Sequence, residues 1–289
     1  MPSISRAVSA LGLIHLLSAC AATPQSPAKA AASTTAVRLY VLDCGHIDIP
    51  NMKLFADVPE YVGARGSLAV PCFLVRHPRG NLLWDTGLND AIAREKDGVI
   101  DAAGGHATVK ATLRAQLDAL GIAPDEITYV GISHLHADHA GNANLFPKST
   151  WLLNRAELAW GSATPAPLGV DPTTFSAYRT AKVKLLDGDE DVFGDASAVV
   201  LQTPGHTPGH QSLVVRLAHA GTLVLSGDLC HTRANWEKHR VPAMNHSRER
   251  TLSSMDRVEA LVVREHGRFV VQHAIEDVGS LPRFPSYLE

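Results

Sequence analysis

The order of its segments predicts a mixed α/β fold in which two β-sheets pack face to face and helices cover their outer sides. Three observations carry this. Stretches rich in β-forming residues come in two groups, at residues 37–85 and 182–226. Each group is followed by a segment of helical period, and a strand returns after each of those helices.

The first twenty residues stand apart from that plan. Arg6 gives a positive start, residues 7–19 form an apolar stretch too short to span a bilayer, and Leu17-Ser18-Ala19-Cys20 closes it. That tetrapeptide resembles the lipobox of bacterial lipoproteins, which implies removal of the leader and a lipidated Cys20 as the new N-terminus. Ala21, not Asp, follows, so the expected location is the periplasmic face of the outer membrane. Residues 21–36 are Ala, Ser, Thr and Pro but for Gln25 and for Lys29, the one charge, and read as a flexible tether. No second boundary of this kind recurs, so 37–289 is expected to be one domain.

Within it, residues 37–43, 68–76 and 81–85 read as strands separated by Gly- and Pro-bearing turns. Val109, Leu113, Leu117 and Leu120 fall on one helical face, ended by Gly121 and Pro124. Residues 127–133 return to strand, followed by a short strand at 150–154 and a helix-like 155–160. Strands follow at 182–186, 198–203, 211–217 and 222–226. A helix from about 250 to 265 points Leu252, Met255, Val258, Leu261 and Val262 inward, before a last strand at 268–272. The segment 47–61, with Ile49, Met52, Leu54 and Phe55 and no clear period, reads as an insertion able to cover a site or as ordinary core.

A net charge of -3 without long charged runs offers no basic stripe for nucleic acid and directs attention to a small-molecule partner. Of four cysteines, Cys20 has its own fate, leaving Cys44, Cys72 and Cys230 for at most one disulfide. None has metal-knuckle spacing, and Cys72, inside a strand-like run, reads as a small buried hydrophobe.

The chemistry gathers at strand ends. Ser133-His134-Leu135-His136-Ala137-Asp138-His139 packs four metal-capable side chains behind a buried strand. On an extended backbone His134 and His136 point the same way and can share an ion, and Asp138 and His139 lie past the bend. Three further strands end on Thr203-Pro204-Gly205-His206, on Ser226-Gly227-Asp228 and on Gln272-His273. Imidazoles with some carboxylate suit zinc and its first-row neighbours.

In these residues the chain resembles the metallo-β-lactamase superfamily over nearly all of 37–289. Leu83-Trp84-Asp85-Thr86-Gly87 is similar to its early Asp motif, and the His-x-His-x-Asp-His box, the Gly-His, the Asp and the closing His follow in order. The resemblance implies an αββα four-layer sandwich holding two divalent ions, zinc first among them. His134, His136 and His206 would hold one, Asp138, His139 and His273 the other, and Asp228 would bridge. Asp85 would fix a ligand imidazole, and His210 would support the site without ligating.

The nearest likeness is to N-acyl homoserine lactonases, through the run from Thr203 to Leu213 and the Arg283-Phe284-Pro285-Ser286-Tyr287 tail. Where those enzymes carry a Tyr three residues after the bridging Asp, this chain has His231; where they carry an Asp after the last His, it has Ala274. The implied reaction is opening of a lactone ring by a metal-bridging hydroxide, with Asp138 or a metal-bound water shuttling the proton and His231 the candidate to donate a hydrogen bond to the carbonyl. Other small esters, lactones or phosphotriesters fit the same site, and a metal-holding lipoprotein without catalysis is the reading from another class. A true zinc β-lactamase would generally lack Asp228. A glyoxalase II-like thioesterase would need a C-terminal domain where this chain has the short segment 274–289, and a di-iron redox relative would have Glu at His136.

Overall fold

In the computed structural model, residues 1–3, 36–101 and 103–289 are described. The expected leader from residue 4 on, Cys20 included, and the tether but for Ala36 lie outside the described residues. The described residues from 36 to 289 belong to one compact unit.

A first sheet is built from β1 (Arg38–Ile49), β2 (Gly66–His77), β3 (Gly80–Trp84), β4 (Val99–Ile100), β5 (His106–Thr108), β6 (Ile127–Gly131), β7 (Thr150–Asn154) and β8 (Lys182–Leu186). Its order is β4-β5-β1-β2-β3-β6-β7-β8. The second sheet holds β9 (Glu190–Asp191), β10 (Ala198–Gln202), β11 (Gln211–Leu217), β12 (Gly221–Leu225) and β13 (Arg268–Val270), in the order β13-β12-β11-β10-β9. A final strand, β14 (Tyr287–Leu288), returns to pair with β1.

Alternation along the strands explains why so many read as unbroken apolar runs: both faces are covered. Leu39, Val41, Phe73 and Val75 of the first sheet meet Leu213, Val215, Leu223 and Leu225 of the second in a central core. The opposite face of the first sheet, with Tyr40, Leu42 and Leu74, packs under α1 (Leu113–Ala119). On the second sheet, Val214 and Val224 pack under Met255, Val258 and Leu261 of α5 (Arg248–Glu265). Helix, sheet, sheet, helix is the four-layer αββα sandwich expected of the sequence. Between these helices in the chain lie α2 (Ala137–Ala140), α3 (Arg155–Gly161) and α4 (Arg233–Glu237), and α6 (Ile275–Gly279) follows.

The departures are local and have causes. The first helix starts at Leu113 and not at Val109 because the Thr112 hydroxyl caps it, accepting from Ala115 N at 3.1 Å. Ser247 likewise starts α5 two residues early, accepting from Arg250 N at 3.3 Å. Strand β1 runs on to Ile49 past a bulge between Asp43 and His46, so part of the expected insertion is ladder. Strand β13 stops at Val270 because the next two amides leave the sheet: Val271 N donates to Asp277 at 2.7 Å and Gln272 N to the Ser226 hydroxyl at 2.9 Å. Cys72 is fully buried, as expected of a small hydrophobe, but it is also disulfide-bonded to Cys44 across β1 and β2, which leaves Cys230 free.

Candidate metal centre

Five strand ends point at one place. Strand β3 ends on Asp85, β6 on the His134–His139 turn, β10 on the loop to His206, β12 on Asp228 and β13 on His273. The loop from Thr203 to His210 is folded tightly, with Thr203 N donating to His210 O at 3.0 Å. Gly205 (φ +148°) lies so close to α5 that a Cβ there would meet Thr251 N at 2.3 Å. Only glycine lets the turn press on the helix and swing His206 over the strand ends.

The candidate ligands divide into two sets around one carboxylate. His134 Nε2 lies 2.8 Å from His136 Nδ1, which is 3.2 Å from His206 Nε2. Oδ2 of Asp228 faces this set, 3.5 Å from His134 Nε2 and 3.3 Å from His206 Nε2. Its Oδ1 faces the other way, 3.1 Å from His139 Nε2 and 3.0 Å from His273 Nε2. Asp138 completes the second set, its Oδ2 3.5 Å from His273 Nε2. All seven expected ligands are thus brought together, and no ligand atom within either set lies more than 4.8 Å from another.

The donor chemistry fits a bound cation. Imidazole nitrogens crowd together here, with His139 Nε2 and His273 Nε2 at 3.2 Å beside the contacts above, and Asp228 Oδ1, though buried, has no hydrogen-bond partner. Converging buried lone pairs are costly unless a positive charge sits among them. The electrostatics agree. Burial holds His134 and His206 well below the usual histidine value and His136 at about 4, so these three offer lone pairs. Burial also depresses His139 and His273, but Asp228 and Asp138 overcome it and raise both, with Asp85 adding to the rise at His139. Asp228 is opposed by burial yet held well below the carboxylate range by His273, His231, His139 and His134. Protons on the second set occupy positions a cation would compete for.

Neighbours fix which nitrogens face inward. His139 Nδ1 donates to Asp85 Oδ2 at 2.9 Å and His273 Nδ1 to the Ala69 carbonyl at 2.6 Å, leaving both Nε2 atoms aimed at Asp228. His210 lies behind the site: its Nδ1 donates to Thr203 O at 2.9 Å and its Nε2 accepts Asp228 N–H at 2.8 Å. It therefore positions Asp228 and has no nitrogen left to ligate. His231 sits against the centre, its Nε2 2.9 Å from Asp228 Oδ2 and its Nδ1 buried without a partner. Its ring stacks on His273, with centroids 5.4 Å apart, and meets Phe55 edge-on.

The cleft above these groups encloses about 110 Å³ and is walled by Ile47, Ile49, Phe55, Leu68, Leu88 and Met244. Asp138 is the one carboxylate of the set with appreciable exposure, its side chain 20% accessible.

The sequence profile of the metallo-β-lactamase superfamily matches residues 65–273. The chain belongs to the metallo-β-lactamase superfamily. Among superfamily members it is 30% identical over 266 residues to N-acyl homoserine lactonase AttM of Azorhizobium caulinodans, an alignment spanning 88% of this chain and 100% of that one. It is 28% identical over 260 residues to N-acyl homoserine lactonase AiiA of Bacillus thuringiensis subsp. kurstaki, with 88% and 100% covered. A solved N-acyl homoserine lactone hydrolase, with the product N-hexanoyl-L-homoserine at its catalytic metal centre, superposes with a TM-score of 0.76 at 27% identity, covering 88% of this chain and 100% of the other. The chain is a hydrolase of that superfamily.

Two working residues escape a reading of the sequence. Gln272 accepts Gly227 N–H at 2.7 Å and the Trp84 indole at 3.2 Å, and its Nε2 donates to Asp85 at 3.0 Å, so it ties three strand ends together. Its only sequence signal is a polar residue closing an apolar strand beside His273. Glu157, 1% exposed, reaches two of the ligand-bearing turns; in sequence it is an ordinary acid in the first turn of a helix.

Proposed function

We propose that the chain is a dinuclear metallo-hydrolase that opens the lactone ring of N-acyl homoserine lactones, with zinc as the first-choice cation at both positions. The observation that carries the dinuclear reading is Asp228, whose two oxygens face two separate imidazole sets. The likeness to lactonases over their whole length supports the substrate.

His134, His136 and His206 would hold one cation and Asp138, His139 and His273 the other, with Asp228 shared. When bound, such a pair supplies an ionised water near neutral pH and withdraws charge from a carbonyl oxygen. The chain does the rest. Asp85 and the Ala69 carbonyl keep His139 and His273 in the tautomer whose lone pairs face inward. The apolar wall excludes water and receives an acyl chain. Asp138, facing the cleft, takes and returns the proton needed by the opening ring. His231, with Nε2 engaged by Asp228, offers Nδ1 to a substrate oxygen.

We further propose that residues 1–20 are a lipoprotein leader, that 21–36 tether the domain of 37–289, and that Cys20 anchors it in the periplasm. The Cys44–Cys72 disulfide supports an oxidising compartment. Short- and long-chain N-acyl homoserine lactones, γ-butyrolactone, aryl esters and a β-lactam should be tested on metal-loaded protein, with and without chelator. Chelator-sensitive opening of the acylated lactones, with esters and β-lactam inert, is the expected result. Lactone opening indifferent to chelator, or hydrolysis confined to esters, would overturn the proposal.

A further inference from the structure

The two turns that carry His134, His136 and His206 come from different sheets. Gln211, which closes the second turn, ties them on one side, its N–H donating to Ser133 O at 2.9 Å and its Nε2 to Ile132 O at 3.0 Å. Further along both turns, the Glu157 side chain makes a second link. Oε1 of Glu157 accepts Leu135 N–H at 2.9 Å, between the two histidines of the first turn. Oε2 accepts the Thr207 hydroxyl at 2.6 Å and Gly209 N–H at 3.0 Å, in the turn that follows His206.

We propose that Glu157 is a positioning residue for the cation site of His134, His136 and His206, its carboxylate setting the distance between the two turns through three hydrogen bonds. The inference rests on the metal centre proposed above. The hydrogen bonds of the Glu157 carboxylate go to Leu135, Thr207 and Gly209 and to none of the candidate ligands' side chains, so it acts through those three residues.

The fold has made room for this contact. Asn154 caps α3, its Oδ1 accepting Ala156 N–H at 2.7 Å and Glu157 N–H at 3.2 Å, which fixes where the glutamate leaves the helix. The second turn packs directly on this helix start. A Cβ on Gly209 would lie 2.3 Å from Asn154 Oδ1 and 2.5 Å from Glu157 N. Any larger residue would push the His206 turn away from the carboxylate.

A purely structural bridge of this shape does not need a charge. Burial pushes the Glu157 carboxyl up to about 7, against the pull of Thr207, Leu135 and Gly209. No arginine or lysine pairs with it among the described residues. What a carboxylate has that an amide lacks is two accepting oxygens, and the donors occupy both. In Glu157→Gln one arm must turn an N–H toward a donor, so one of the two turns is released.

The test is cation binding, read without catalysis. Metal-free wild type and Glu157→Gln are titrated with Zn²⁺ against a competing chelator, and with Co²⁺ to follow each site by its absorption. Unfolding temperatures of both metal-free proteins are taken alongside. The expected result is a loss of about 10- to 100-fold in affinity at one of two sites, the scale seen when outer contacts of a metal site are removed. Thr207→Val, which removes one donor and keeps the carboxylate, should give a smaller loss at the same site and serves if Glu157→Gln does not fold. Equal affinities in wild type and both variants, with only the unfolding temperature lowered, would show a structural brace and overturn the inference. Wild type that binds no cation would overturn the metal centre itself, and this inference with it.

Discussion

Asp85 holds His139 from a strained backbone: its Oδ2 is 2.9 Å from His139 Nδ1 while its own φ is 56°, a left-handed value uncommon outside glycine. Its other oxygen accepts Ser133 N–H at 2.7 Å, and Gln272 adds a third bond at 3.0 Å. Strain of about 1–3 kcal/mol persists where the surroundings over-determine it, and here they fix an imidazole. Asp85→Asn puts a donor where His139 needs an acceptor. Zinc affinity should fall about 10- to 100-fold, measured by chelator competition; unchanged affinity would remove Asp85 from the centre.

His231 meets the apolar wall and also lies with Asp228 and His273 in a group that could hold an ion, so turnover and metal content together decide its role. His231→Phe keeps an aromatic ring against Phe55 and loses both nitrogens. Lactone turnover should fall about 10²-fold, as when one donor to a developing oxyanion is removed, with metal content unchanged. Unaffected turnover would take His231 out of the reaction. Lost metal would make it a ligand.

Far from the centre, Asp195 ties down the loop before β10. Bonds from the Ser197 hydroxyl, its amide and His77 hold the carboxyl at about 2 against an ordinary 3.8. A carboxyl whose folded value is depressed stabilises the fold above its unfolded value and loses that contribution as pH falls toward the folded one. Thermal stability should therefore fall from about pH 4 down to about pH 2 in wild type, and Asp195→Asn should be less stable at neutral pH with a flatter acid limb. Parallel acid limbs in the two proteins would contradict this.

The disulfide braces β1 to β2 beside the Asp85 turn, for a Cβ on Gly87 would lie 2.2 Å from Cys44 Cβ. Cys44→Ala with Cys72→Ala should lower unfolding free energy by about 2–4 kcal/mol in denaturant titrations. A double variant as stable as wild type would show that the two strands need no staple.

The candidate metal residues stood out in the sequence, and the structure brings them together, because metal chemistry demands particular side chains and these stand at the ends of apolar strands where little else explains them. His210 was legible as a support from the likeness of its run to those of lactonases, and the structure gives both its nitrogens hydrogen-bond partners, Thr203 O and Asp228 N–H. Glu157 and Gln272 were not, because their meaning lies wholly in which backbone amides tertiary folding brings to them. The Cys44–Cys72 pairing was hidden for a similar reason. It depends on the β1–β2 register, and the bulge before His46 that helps set it leaves no mark on the apolar pattern. Helix starts were misplaced by two to four residues where a single hydroxyl, on Thr112 or Ser247, decides them.

The central claim is that seven side chains cage two cations around Asp228, and a titration of metal-free protein with Zn²⁺ tests it directly. Two equivalents bound per chain, falling to one or none in Asp228→Ala, is the predicted result. A single equivalent in wild type, or two that survive the loss of Asp228, would contradict it.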